Sequence, residues 1–120
     1  MAASGQVNDL RHLKRRHIIY YLEVFDQTTG KLLGHLVDLT VKGMKLISKE
    51  AIDPGQTFSL RMIMPEEYCP EREVHFEATS SWCSQDINPD FYATGFHCPD
   101  LDENTRRLFM ILINQIGFND

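Results

Sequence analysis

Apolar and polar residues alternate with a period of two along most of this chain, the signature of half-buried strands. Residues 18–25 are rich in β-branched and aromatic side chains and predict a first strand. Asp26, Thr28 and Gly30 supply turn chemistry, and residues 31–37 return as a second strand. A turn over 38–43 and a third strand over 44–48 follow, and Asp53, Pro54 and Gly55 mark another turn. The fourth strand is the clearest: Phe58, Leu60, Met62 and Met64 alternate with Ser59 and Arg61. After a loop over 65–70, Val74, Phe76 and Ala78 alternate with Glu73, His75, Glu77 and Thr79. Trp82 falls on the Val74 face by the same count, so it is expected in the core with Phe96. A loop at 87–90 leads into a sixth strand over 91–97.

The period changes only at the end. Asp100 or Asp102 can cap a helix, Glu103 stands in its first turn, and Gly117 can close it. Leu108, Leu112 and Gln115 share one side of that helix, with Phe109, Ile113 and Ile116 beside them. Six short, closely spaced strands followed by one helix predict a mainly β fold. The expected architecture is a six-stranded antiparallel β-barrel with one C-terminal α-helix.

At 120 residues the chain is the size of one domain with a real core. Residues 1–9 are small and polar and are expected to be mobile, with the domain spanning 10–117. No apolar run reaches the roughly 20 residues that span a bilayer. The first residues lack the apolar stretch of a secretory signal, so a cytoplasmic location is expected. Cys69, Cys83 and Cys98 are odd in number and form no CxxC pair, which favours reduced thiols over a disulfide framework.

Charge narrows the choice of partner. The net charge is −5, but Arg11, Lys14, Arg15 and Arg16 against Asp9 alone give residues 9–17 a charge of +3. That leaves −8 for the rest. An acidic body argues against a broad nucleic-acid surface, which needs a wide basic face. A small basic lead on an acidic body suits a compact anionic ligand instead. Arg11 and Arg15 stand four apart in that lead, and Asp38, Thr40 and Gly43 follow one predicted hairpin later. Guanidinium forks grip phosphate oxygens and the O6/N7 edge of guanine, and the turn adds a carboxylate, a hydroxyl and a bare backbone.

RxxxR, then a strand pair, then [D/N]xSxxG on a six-stranded barrel with a C-terminal helix is the pattern of the PilZ domain. The chain resembles that family, the bacterial receptor module for cyclic di-GMP, over about residues 10–117. Arg11 and Arg15 match the first motif, and Asp38, Thr40 and Gly43 the second, with Thr40 where the family usually has serine. The likeness continues through Trp82 and Gly95-Phe96. It implies that Arg11 and Arg15 engage guanine edges and phosphates and that Asp38 accepts from guanine N1–H and N2–H₂. It also implies that Thr40 contributes one hydrogen bond and that Gly43 lets the backbone turn and keeps a side chain away. Leu10 occupies a position that in the family influences how many ligand molecules stack together.

The resemblance implies a non-catalytic receptor that signals through a downstream protein partner, with no cofactor and no metal. The alternative is an adaptor of the same fold that does not bind cyclic di-GMP. An RNA-binding small barrel comes a distant third. His75, His97 and Cys98 show no metal-ligand spacing, and adjacent His97 and Cys98 should point to opposite faces of a strand. No Gly-rich phosphate loop, HExxH or GxSxG motif occurs, so an enzyme reading has nothing to rest on.

Overall fold

The computed structural model describes residues 22–66 and 69–116; the expectations placed on residues 1–21 and on Gly117 lie outside these. Six strands run in chain order: β1 (Leu22–Asp26), β2 (Leu32–Thr40), β3 (Gly43–Ser48), β4 (Thr57–Ile63), β5 (Glu73–Gln85) and β6 (Tyr92–His97). One helix follows, α1 (Glu103–Ile116). The strands close into an antiparallel barrel, as expected, and their order round it is β1-β2-β3-β6-β5-β4. Closure leaves no strand edge unpaired, which is how a small sheet protein avoids edge-to-edge association.

Alternation builds the interior. Val24, Leu36, Leu46, Leu60 and Met62 are fully buried, each on the inward face of its strand. At one mouth α1 lays its apolar stripe against β2 and β5. Phe109 is the anchor: it is fully buried and meets Phe76 edge-on, ring centroids 5.2 Å apart. Leu108 and Leu112 are buried beside it, whereas Gln115, expected on that side, is exposed. The amide head is accommodated in water at the end of the stripe. Asp102 caps the helix, its Oδ1 accepting from the Thr105 amide at 2.7 Å. That backbone hydrogen bond holds the Asp102 carboxyl below its usual range.

Strict alternation fails at three places, each a single extra residue in one strand. The register slips at Leu33, at Val37 and at Ser81. A one-residue bulge sends every following side chain to the opposite face. Two of these bulges decide the outer surface. Asp38 would share the inward face with Leu36, but the extra Val37 turns it out and puts Leu39 inside instead. Trp82 would follow Val74, Phe76, Ala78 and Ser80 inward, but the extra Ser81 turns it out as well. Trp82 is therefore 45% exposed and is not part of the core, contrary to the count from its strand. Phe96 is buried as expected.

The second correction concerns 38–43. Asp38, Leu39 and Thr40 belong to β2, and the turn proper is only Val41-Lys42. Thr40 organises it: its Oγ1 accepts from the amides of Lys42 and Gly43, both at 3.2 Å. The Lys42 carbonyl in turn accepts from the Cys98 amide at 2.8 Å, pinning the turn to the end of β6.

Candidate functional site

Cross-strand registers place Asp38 of β2, Lys45 of β3, Gly95 of β6 and Trp82 of β5 in one row on the outer face. The next row toward the turn holds Thr40, Gly43 and His97. These residues line a groove of about 440 Å³ that opens to solvent. The chain joins the barrel close by: β1 begins at Leu22, cross-strand from Leu36, two residues from Asp38. Arg15 precedes Leu22 by seven residues, and an extended chain covers about 3.3–3.6 Å per residue. The length of chain is thus compatible with reaching the groove. Arg11 and Arg15 themselves lie outside the described residues.

Each member of the groove has a local cause. Asp38 owes its outward carboxylate to the bulge at Val37, and its Oδ1 accepts from the Leu39 amide at 2.9 Å. A carboxylate so oriented keeps acceptor capacity for a ligand that offers two adjacent donors. Thr40 is exposed, and its hydroxyl is already engaged with the turn, donating to the Gly43 carbonyl at 3.4 Å besides accepting its two amides. Its role in this arrangement is to fix the turn.

Gly43 is required, though for a different reason from the one the sequence offered. Its backbone is not in the left-handed region, where Gly30 and Gly55 lie among the described glycines. What excludes a side chain is the carbonyl oxygen of Phe96, which a Cβ on Gly43 would strike. Gly95 is excluded from bearing one by the indole of Trp82, whose pyrrole atoms occupy that space. The groove floor is therefore bare backbone flanked by an aromatic ring.

Lys42 and Lys45 stand around this floor against the single carboxylate of Asp38, so the groove is locally cationic on an acidic protein. Such a surface attracts an anion, and the carboxylate at its edge supplies an acceptor for donors on the same ligand. Lys45, Trp82, Gly95 and His97 were not singled out as site residues from sequence. A glycine within a strand is a recognised sign of close approach by another group, and Gly95 carried that signal.

A larger hollow of about 620 Å³ lies at the opposite end, where β2 and β3 diverge beyond the His35–Ile47 pair. Its lining includes Lys31 and Lys49 but also Glu50 and Asp53, which cancel the charge. Asp38, Thr40 and Gly43 do not line it, and it lacks the field an anion needs.

Among the described residues no group of three or more His, Cys, Asp or Glu side chains is placed to hold a metal ion. His97 is exposed and Cys98 buried, as the alternation requires. Burial pushes the Cys98 thiol up to about 12, far from a reactive thiolate. The Cys69 thiol is raised too, first by burial and then by the nearby Glu71 carboxylate. All three cysteines are free. Among the described residues no helix is long and apolar enough to cross a membrane.

The PilZ domain family model matches residues 10–115. No curated protein matches the sequence. Among solved structures, the Bacillus subtilis inhibitor of motility MotI/DgrA superposes with a TM-score of 0.65 at 15% identity. That match covers 80% of this chain and 49% of MotI/DgrA. The PilZ domain of Escherichia coli YcgR with c-di-GMP superposes with a TM-score of 0.60 at 18% identity, covering 83% of this chain and 82% of that domain. YcgR from Escherichia coli in complex with c-di-GMP gives 0.60 at 20% identity, covering 79% of this chain and 40% of that one. At these identities the likeness is one of fold. The chain spans about half the length of MotI/DgrA.

Proposed function

The chain belongs to the PilZ domain family, and we propose that it is a non-catalytic receptor for cyclic di-GMP. The observation that carries this reading is the outer groove itself. It sets the Asp38 carboxylate, the Thr40 turn and the bare Gly43 backbone near the start of β1, where Leu22, seven residues after Arg15, pairs with Leu36. The YcgR structures, which share the fold, hold c-di-GMP.

Each residue then has a task set by its chemistry. Asp38 accepts from N1–H and N2–H₂ of a guanine, a donor pair that a carboxylate spans. Arg11 and Arg15 close over the ligand from the other side, pairing with phosphates and with the guanine O6/N7 edge. Lys42 and Lys45 add positive field for the two phosphate charges. Gly43 holds the floor low because nothing larger fits under the Phe96 carbonyl. Charge-assisted hydrogen bonds contribute about 1.5–3 kcal/mol each. A handful of them outweighs the roughly 1–2 kcal/mol per residue needed to fix the backbone of the arginine segment.

The output is a change of surface. Drawing residues 8–17 onto the groove alters what the barrel presents to a downstream protein. Amide exchange across that segment, with and without ligand, checks this step; tight binding with unaltered exchange rules it out.

Calorimetry with cyclic di-GMP is the deciding measurement. Micromolar or tighter binding, lost in Arg11→Ala and Arg15→Ala and kept in Arg16→Ala, supports the receptor. A silent titration of the intact chain replaces it with the adaptor reading, a PilZ barrel that acts through protein contacts alone.

A further inference from the structure

We propose that the end of the barrel away from the groove is a docking face for a second copy of this chain. The tip of the β5–β6 hairpin of each copy enters the hollow of the other. Three observations carry this, and none of them involves the groove or its ligand.

The first is the tip. Ile87 is fully exposed, and the loop that carries it is firmly built. The Asp86 amide donates to the Phe91 carbonyl at 2.9 Å, and the Phe91 amide donates to the Asn88 carbonyl at 3.0 Å. Gln85 Nε2 donates to the Pro89 carbonyl at 2.9 Å, and the Asp90 amide donates to Asn88 Oδ1 at 3.1 Å. Ile87 is thus an apolar knob held in place before a partner arrives, so docking it orders little further chain.

The second is the hollow of about 620 Å³ beside it. Leu32, Leu33, Ile52, Phe58 and Phe91 give it an apolar lining with charged groups among them, the usual form of a recognition pocket. Leu32 is itself 46% exposed, and Phe58 and Phe91 are half-buried. Phe91 ends the hairpin loop, and Tyr92 after it pairs with Ser48, another lining residue. Knob and hollow therefore adjoin on one end of the barrel. A two-fold axis needs that placement, because both copies then offer the same patch and each knob meets the other hollow.

The third is charge. The chain carries −5, so two copies repel in most orientations. At the hollow, however, Lys31 and Lys49 balance Glu50 and Asp53. The tip carries Asp86 and Asp90 on either side of Ile87. The carboxylates of one tip meet the lysines of the other hollow, and the two-fold axis makes that pairing twice. Exposed ion pairs add little affinity, but they fix orientation around the apolar contact. A contact of this small size gives a reversible dimer, populated as concentration rises. The groove stays open at the far end of each copy.

Sedimentation equilibrium of the intact chain, over a rising concentration series and without cyclic di-GMP, tests the proposal. The average mass should climb toward twice that of one chain. Ile87→Ser removes the knob without disturbing the core, since that side chain is fully exposed, and should hold the mass at one chain. The double variants Lys31→Glu/Lys49→Glu and Asp86→Lys/Asp90→Lys should each be monomeric alone. Mixed in equal amounts, they should form a dimer containing one of each, because every tip then faces a hollow of opposite charge. An intact chain that stays monomeric at every concentration overturns the proposal and gives the face to a different protein. A dimer that survives Ile87→Ser, or a charge-reversed mixture that stays monomeric, overturns it as well.

Discussion

Asp38 and Trp82 stand in one outward row of the barrel, three strands apart, and each reaches it through a single extra residue in its own strand. Val37 turns the carboxylate out of β2 and Ser81 turns the indole out of β5. The two irregularities face each other across Lys45 and Gly95, so one groove has a hydrogen-bond acceptor at one wall and a π surface at the other.

The carboxylate of Asp38 is exposed, and its intramolecular hydrogen bond is to its own neighbour Leu39. Asp38→Asn should keep the shape and lose the charge. Its affinity for cyclic di-GMP should fall by tenfold or more, in line with the loss of a charge-assisted hydrogen bond of about 1.5–3 kcal/mol. Thermal unfolding should be nearly unmoved. Calorimetry beside a melting curve checks both, and undiminished affinity would remove Asp38 from the site.

Gly43 and Gly95 are both too crowded for a side chain, but the obstacles differ. At Gly43 the obstacle is the Phe96 carbonyl, part of a paired strand that cannot step aside. Gly43→Ala should therefore destabilise the barrel by about 1–3 kcal/mol, the usual cost of overpacking. At Gly95 it is the Trp82 indole, which can swing into solvent. Gly95→Ala should be milder in stability yet shift Trp82 emission to longer wavelength. Denaturant unfolding and fluorescence spectra of the two variants distinguish the cases; a Gly95→Ala protein with native emission would contradict the packing described.

Phe109 fills the mouth of the barrel, edge-on to Phe76. Phe109→Ala should cost about 3–5 kcal/mol, since α1 has no other aromatic in its stripe to close the gap. Equilibrium unfolding in urea measures the loss. A cost under about 1 kcal/mol would mean that α1 is peripheral to the fold.

The raised Cys98 thiol makes stability fall at alkaline pH. Its folded value of about 12 lies above the roughly 8.5 of an unfolded cysteine, so the unfolded chain gives up this proton first. The contribution is complete below about pH 8.5 and declines above it, by as much as about 1.4 kcal/mol per pH unit for one proton. Cys69 adds to the same slope in the same direction. Unfolding free energies between pH 8 and 10.5 should drop more steeply in the intact chain than in Cys98→Ala. Identical slopes would show that Cys98 ionises freely in the fold.

Much of the architecture was written in the alternation of residues such as Leu60, Met62 and Met64, because a period of two maps directly onto the two faces of a strand. The helix was equally plain, from a cap at Asp100 or Asp102, which the structure resolves to Asp102, to the Leu108, Phe109 and Leu112 stripe. Asp38, Thr40 and Gly43 could be named from their spacing, and the structure brings all three to one groove.

The sequence by itself determined the strand count, the terminal helix and the residues that build the β2–β3 connection, since local propensity and periodicity decide those. The faces of Asp38 and Trp82 were decided only by the closed barrel. A single-residue slip in register leaves no mark on composition, yet it reverses which side of the sheet every later side chain occupies. For the same reason the need for glycine at 43 came from a carbonyl on a strand more than fifty residues away, Phe96, a neighbour that pairing in three dimensions alone supplies.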